Sequence, residues 1–177
     1  MMVELATLQA VSYIMGSLGV FVAAVYYVST LRNNQRTQQL QLETRQAQLF
    51  MQIYNQGAND RNFIEAWNRV QHMKFNNLQE FLNETDYENP ETRENLTAIN
   101  ILTGYYEGVG TLVKENMLSI KWIALLFGSW TRMFWEKIEP IAGEIRVHHK
   151  APRIFSETEY LYNELMRYMK EHPELAT

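Results

Sequence analysis

The longest uncharged segment of the chain lies at its N-terminus and constrains the fold more than any other feature. No Asp, Glu, Lys or Arg occurs between Glu4 and Arg32. As an α-helix, segment 5–31 would be about 40 Å long, which exceeds the ~30 Å hydrocarbon core of a bilayer. A cleaved signal peptide would need a basic N-terminal region and a shorter apolar run. The segment therefore predicts an uncleaved transmembrane helix.

Charged residues on the two sides of this segment predict its orientation. Arg32, Arg36 and Arg45 follow it, and no Lys or Arg precedes it. The positive-inside rule places such a flank in the cytoplasm. We therefore expect a single-pass membrane protein with its N-terminus outside and its C-terminal domain in the cytoplasm.

One face of the predicted span carries only small and polar residues. Its residues are spaced alternately three and four positions apart, so they share one helix face: Gln9, Ser12, Gly16, Gly19, Ala23, Tyr26 and Thr30. Large aliphatic residues such as Leu18 and Val22 lie elsewhere on the helix and suit lipid. Small residues let membrane helices approach closely. The stripe predicts either a helix contact face or the lining of a wet pore; the plainer alternative is a lone anchor.

The remaining sequence predicts an all-α protein, with one N-terminal transmembrane helix followed by a cytoplasmic helical-bundle domain. We divide it into a transmembrane anchor (1–31), a juxtamembrane helix (32–56) and a helical domain (57–177). Capping residues and apolar periodicity predict helices over about 60–73, 77–84, 90–117, 119–127 and 129–149. Ser156 and Glu159 form the pattern of a capping box at the start of the last helix, which Pro173 ends.

The helix predicted over 90–117 carries a regular apolar stripe and three glycines. Its predicted core residues are Leu96, Ile99, Leu102, Tyr106, Val109, Val113 and Met117. Gly104 and Gly108 share a face, which predicts close packing of another helix there. The aromatic residues between Trp122 and Trp135 indicate core or interface positions.

Composition excludes several classes of function. The net charge of −4 argues against a dedicated nucleic-acid-binding protein, and the absence of cysteine excludes disulfides and thiolate metal sites. Phosphate-loop, nucleophile-elbow and zinc-protease motifs are missing from the sequence. The adjacent His148 and His149 point about 100° apart on a helix, so they do not form the usual metal pair. We expect no metal and no cofactor.

One short pattern near the C-terminus has a possible chemistry. Arg167 and His172 are separated by four residues, as in the RNA-cleaving motif of HEPN-type ribonucleases. Histidine would move a proton and arginine would stabilise charge on phosphate. Tyr168 stands where that motif usually has a polar residue, and a solvated helix end explains the same residues. We therefore expect Arg167 and His172 to be structural and the protein not to be an enzyme.

Four features of the chain occur together in one known family. They are the membrane helix, the glutamine-rich segment after it, the helical domain and the Arg167–His172 pattern. The chain resembles the family of small transmembrane accessory proteins of type VI-B CRISPR–Cas systems. The stretch from ILTGYYEGVGTLVKENMLS to FGSWTRMFWEKIEPI also resembles a wider family of membrane-anchored domains.

The resemblance to the accessory proteins implies a function and partners. It implies a homo-oligomeric ring, an octamer, in a bacterial inner membrane, which contacts membrane lipid and enhances RNA-targeting immunity by permeabilising or depolarising that membrane. It also implies a functional link to an RNA-guided ribonuclease effector and to its guide RNA. Two alternatives remain: a membrane-tethered HEPN-like ribonuclease, and a scaffold that recruits a soluble partner to the membrane.

Overall fold

A computed structural model describes residues 2–175, with side chains for residue 8 and for residues 11–175. These residues form six α-helices and a 3₁₀ turn: α1 (Met2–Asn59), α2 (Arg61–His72), α3 (Leu78–Glu84), α4 (Pro90–Lys114), α5 (Ile120–His148), α6 (Ser156–Glu171) and the turn Pro173–Leu175. No strand occurs within that range, and the predicted all-α fold is confirmed.

The chain divides into two compact units, Met1–Arg45 and Gln46–Thr177. The boundary between them lies within α1. Every side chain described between residues 31 and 48 is exposed. Further along, Phe50 is half-buried and Ile53 is buried among the core of the second unit. The second unit therefore includes the last turns of α1, which the sequence had assigned to a juxtamembrane helix, because Ile53 and its neighbours pack on the core.

Helices α2, α3 and α4 begin within one residue of their predicted starts, and each has a side-chain cap. Asp60 Oδ1 accepts a hydrogen bond from Phe63 N at 2.9 Å, and Asn77 Oδ1 accepts one from Glu80 N at 2.9 Å. Pro90 occupies the first turn of α4, where its missing N–H is not needed. These caps satisfy N–H groups that have no partner within the helix.

Helix α4 ends three residues before the predicted Met117. Asn116 adopts a left-handed conformation with φ 55°, and the N–H groups of Met117 and Leu118 both donate to Leu112 O. This turn leaves Met117 47% exposed and buries Leu118 instead. The prediction of Met117 as a core residue was therefore wrong. Leu96 is half-buried, and the other five residues of the stripe are buried.

Helix α5 is one continuous helix, although the sequence predicts two that meet at Gly128 and Ser129. Ser119 caps it, and Gly128 lies inside it against Leu165 Cδ1, where a Cβ would be 3.8 Å away. A helical glycine costs only about 1 kcal/mol relative to alanine. Buried side chains on both sides of Gly128, including Ile123 and Phe134, outweigh that cost.

The start of α6 is capped from another helix, so the predicted capping box was wrong. Phe155 precedes the helix at φ 61° and provides no side-chain cap. Glu159 instead pairs with Arg146 at 2.6 Å. The carboxylate of Glu107 in α4 accepts hydrogen bonds from Thr158 N and Thr158 Oγ1, both at 2.8 Å.

Removing the Glu107 carboxylate should destabilise the α4–α6 contact. In Glu107→Ala the buried Thr158 loses the acceptor of two hydrogen bonds, and an unsatisfied buried polar group costs about 1–3 kcal/mol. We expect the Tm of the detergent-solubilised protein to fall by about 2–4 °C for each kcal/mol. Glu107→Gln keeps an acceptor oxygen, so its Tm should fall less than that of Glu107→Ala. Equal Tm values for Glu107→Ala and the wild type would contradict this capping role.

Helices α4 and α6 approach each other closely at Gly110. A Cβ at Gly110 would overlap Glu157 O and lie 2.6 Å from the carbonyl carbon of Glu157. Close by, Lys114 Nζ donates to both carboxylate oxygens of Glu157, at 2.9 and 3.0 Å. These hydrogen bonds lower the pKa of Glu157 below its ordinary value.

The glycines that the sequence singled out for helix packing have no such neighbour. Gly104 and Gly108 are exposed, and a Cβ at either would meet nothing within 4 Å. As a packing site within one chain, this prediction was wrong, because α6 approaches α4 along a different face. As a contact between copies, it remains a prediction.

Aromatic pairs link α4 to its neighbours in the core. The rings of Tyr106 and Phe134 stack at 4.7 Å between centroids. The Tyr105 hydroxyl donates to Ile53 O at 3.3 Å, which ties α4 to the last turns of α1. Burial raises the pKa values of both tyrosines.

Candidate functional site

The apolar part of α1 is wholly uncovered by the rest of the described chain. One helix among the described residues is long and apolar enough to cross a membrane, and none of its most apolar window is buried. Its exposed large residues are Leu8, Val11, Tyr13, Ile14, Met15, Leu18, Val20, Phe21, Val22, Val25, Tyr26, Tyr27, Val28 and Leu31. Exposed apolar surface of this extent marks a membrane or protein contact.

The predicted small and polar stripe is continuous along this helix. Ser12, Gly16, Gly19, Ala23 and Tyr26 are exposed, and Thr30 is half-exposed. A Cβ at Gly16 or Gly19 would meet nothing within 4 Å. The side chain of Gln9 lies outside those that the structure describes. Among the described residues, nothing buries the stripe from Ser12 to Tyr26, which remains a predicted contact or pore face.

Two hydroxyl groups in this helix bond to its own backbone. Thr30 Oγ1 donates to Tyr26 O at 2.9 Å, and Ser17 Oγ donates to Tyr13 O at 2.8 Å. In hydrocarbon a polar group needs a partner within the protein. These bonds allow both hydroxyls to lie at membrane depth without an unpaired donor.

Arg167 and His172 lie at the end of α6 and do not pair with each other. The guanidinium of Arg167 pairs with Glu164, and His172 Nδ1 lies 3.3 Å from Glu174 Oε1. The His172 ring also packs against Tyr168 at 4.3 Å between centroids. Arg167 is exposed and His172 is half-buried, and no hydrogen bond or ion pair joins them in the part of the chain that the structure describes.

The other histidines give no cluster of metal ligands. His148 and His149 form an edge-to-face pair at the end of α5, with ring centroids 4.9 Å apart. Among residues 2–175, no three His, Asp or Glu side chains are placed to hold one metal ion.

A polar cavity between α2 and α4 was missed by the sequence analysis. It has a volume of about 1110 Å³ and is lined in part by Glu65, Arg69 and His72 of α2. Across it, Arg69 pairs with Glu94 of α4. His72 Nδ1 lies 2.6 Å from Asn68 O. The spacing of Glu65, Arg69 and His72 at i, i+4 and i+7 places them on one face, and this was the available signal.

Two apolar surfaces of the second unit are also open. The first, the α5 ridge, consists of the outward residues Trp122, Leu125, Leu126, Ser129 and Met133. The second, the α4 groove, has a volume of about 700 Å³ and is lined by Ile53, Gln56, Asn100, Ile101, Gly104, Tyr105, Gly108, Val109, Thr111 and Leu112. The sequence singled out Gly104, Gly108 and Trp122, but it did not indicate which way each side chain faces.

Fold and exposed segment together define an all-α protein with one helix long and apolar enough to span a membrane. The chain belongs to the family described as a domain of unknown function, DUF4760, which matches residues 14–165. This range includes most of the apolar segment and all of α2 to α5, whereas Arg167 and His172 lie outside it. No curated protein and no solved structure matches the chain.

Proposed function

We propose that the chain is a single-pass protein of the bacterial inner membrane that assembles into a ring and permeabilises the membrane as an accessory of CRISPR antiviral defence. The observation that carries this proposal is the apolar part of α1, which nothing in the described chain covers. Arg32, Arg36 and Arg45 support an N-terminus outside and a cytoplasmic helical domain.

A pore requires several copies, because one helix cannot enclose a water path. Each copy would contribute the stripe from Gln9 to Thr30, the face of this helix without large aliphatic residues. Beyond it, residues 33–41 are exposed, and Arg36 is their single charged residue. This polar surface would continue a wet path into the cytoplasm without a strong charge barrier.

The two alternative functions have less support. A ribonuclease would need Arg167 and His172 to converge on one phosphate, and each pairs with a nearby glutamate instead. A membrane scaffold would use the same anchor but would leave the membrane potential unchanged.

Depolarisation on triggering of the defence system tests the pore. We expect a voltage-sensitive dye to report depolarisation with the wild-type protein. Gly16→Leu and Gly19→Leu should abolish most of this signal, because large side chains narrow and dewet the path. Leu18→Ile and Val22→Ile place another large aliphatic toward lipid and should change it little.

These variants must be compared at equal membrane expression and equal mass of the solubilised complex, because a glycine substitution also affects assembly. An unchanged potential with the wild-type protein would refute the pore. If the glycine variants and the Leu18 and Val22 variants give equal depolarisation with assembly intact, another face of the helix lines the path. RNA cleavage by the purified protein, lost in Arg167→Ala and in His172→Ala, would establish the ribonuclease instead.

A further inference from the structure

The α5 ridge leaves large apolar side chains exposed on the outward side of the first half of α5, where Lys121 and Arg132 are also not buried. Trp122, Leu125, Leu126 and Met133 are 43–48% exposed, while Ile123, Phe127 and Phe134 on the opposite side are buried. A contiguous group of exposed large apolar side chains marks a contact surface. Beyond Met133 the same face carries Glu136 and Glu144, so the apolar surface is bounded. This bounded surface indicates a partner for one half of the helix.

The α4 groove is a concave apolar surface on the same unit. Its floor contains Gly104 and Gly108, and Ile101 and Leu112 stand beside them. Each exposed helical glycine costs about 1 kcal/mol relative to alanine. Nothing in the described chain uses the space that they leave. The groove therefore has room for side chains from outside this chain.

Ridge and groove lie on different flanks of the last turns of α1. The Phe50 ring packs against Trp122 of the ridge at 5.1 Å between centroids. Gln56 lines the groove. Six residues apart on a helix, Phe50 and Gln56 point about 120° away from each other. The two surfaces can therefore be occupied at the same time.

The size of the ridge favours a partner that is already held close. Four half-exposed apolar side chains amount to at most several hundred Å². A stable interface between two freely diffusing proteins buries about 800 Å² on each side. Copies confined to one membrane meet at a high effective concentration, so a smaller contact suffices.

All copies insert into the membrane with the same orientation, and this restricts the symmetry of the contact between them. Copies that share an orientation in a membrane are related by rotation about the membrane normal. A ring of more than two such copies needs two different, complementary surfaces on each copy. The α5 ridge and the α4 groove, two different apolar surfaces on separate flanks, meet this requirement.

We infer that the α5 ridge of one copy packs into the α4 groove of the next copy, head to tail. The partner of both surfaces is thus a second copy of this chain. The inference rests on the proposed assembly in the membrane and specifies its cytoplasmic contact.

Cysteine cross-linking tests this contact, because the natural chain contains no cysteine. Ser129→Cys marks the ridge and Gly108→Cys marks the groove, and both positions are exposed. With a short flexible bis-maleimide, the double variant in membranes should give a ladder of dimers, trimers and larger species. Each single variant alone should stay largely uncross-linked, whereas the two single variants expressed together should give dimers only.

The mass of the solubilised wild-type complex separates the possible outcomes. If the mass corresponds to several copies but no cross-linked ladder forms, the head-to-tail contact is refuted and the proposed ring is not. A monomeric mass would overturn both. Dimers of Ser129→Cys alone would show ridge against ridge and refute the inference. Shielding of a solvent-sensitive dye on Ser129→Cys in nanodiscs that hold one copy would assign the ridge to lipid and refute it as well.

Discussion

Gly110→Ala should cause the largest loss of stability of any alanine substitution at a glycine in this chain. The added Cβ would overlap the backbone of Glu157, which has no flexible end that could move aside. Relief requires α4 and α6 to separate at the point where Glu107 caps Thr158 and Lys114 pairs with Glu157. Overpacking of this kind costs about 3 kcal/mol. We expect the Tm to fall by about 6–12 °C in a thermal melt of the detergent-solubilised protein.

Two glycines provide matched controls for this substitution. Gly108 lies two residues earlier on α4, and Gly143 lies on α5 outside both the ridge and the groove. A Cβ at either meets nothing within 4 Å. Alanine should therefore raise stability by about 1 kcal/mol through helix propensity alone. A Gly110→Ala protein as stable as these controls would show that α4 and α6 do not approach each other at this point.

Leu18→Arg should prevent stable integration of the chain into the membrane. Leu18 lies at the middle of segment 5–31, on the side away from the stripe. Replacing Leu by Arg at the centre of a membrane helix costs about 3 kcal/mol, which corresponds to roughly a hundredfold change in partition. After alkaline extraction of membranes, we expect most of the variant in the supernatant and the wild type in the pellet.

Leu42→Arg is the control on the same helix. Leu42 is 61% exposed and Leu18 is 55% exposed, so neither side chain contributes to a core within one chain. Leu42 lies beyond Arg32 and Arg36, outside the predicted hydrocarbon segment. This variant should stay in the pellet. Equal extraction of both variants would mean that α1 does not cross the bilayer at Leu18.

Local features of the sequence predicted most helix positions correctly. Asp60, Asn77 and Pro90 act on N–H groups within one turn of their own position, so their effect on the backbone depends little on the rest of the fold. The uncharged segment before Arg32 is equally local, because the cost of a charge in hydrocarbon depends on each residue by itself.

The candidate sites were less accessible from the sequence. Arg167 and His172 are close in sequence, but their glutamate partners depend on side-chain directions at the end of α6. The residues around Trp122 were predicted as core or interface. Phe134 is buried because it stacks on Tyr106 of α4, whereas Trp122 on the outward side remains 44% exposed although Phe50 of α1 packs against it.

The sequence by itself determined the all-α class, the position of the apolar segment and the starts of three helices, since each follows from interactions within a few residues. Only the tertiary structure decided that α5 continues through Gly128, that Glu107 caps α6 and that Gly110 is the glycine at the helix contact. Local preferences at these positions amount to about 1 kcal/mol each. Burial of several large side chains against another helix contributes more, so packing between distant segments prevails there.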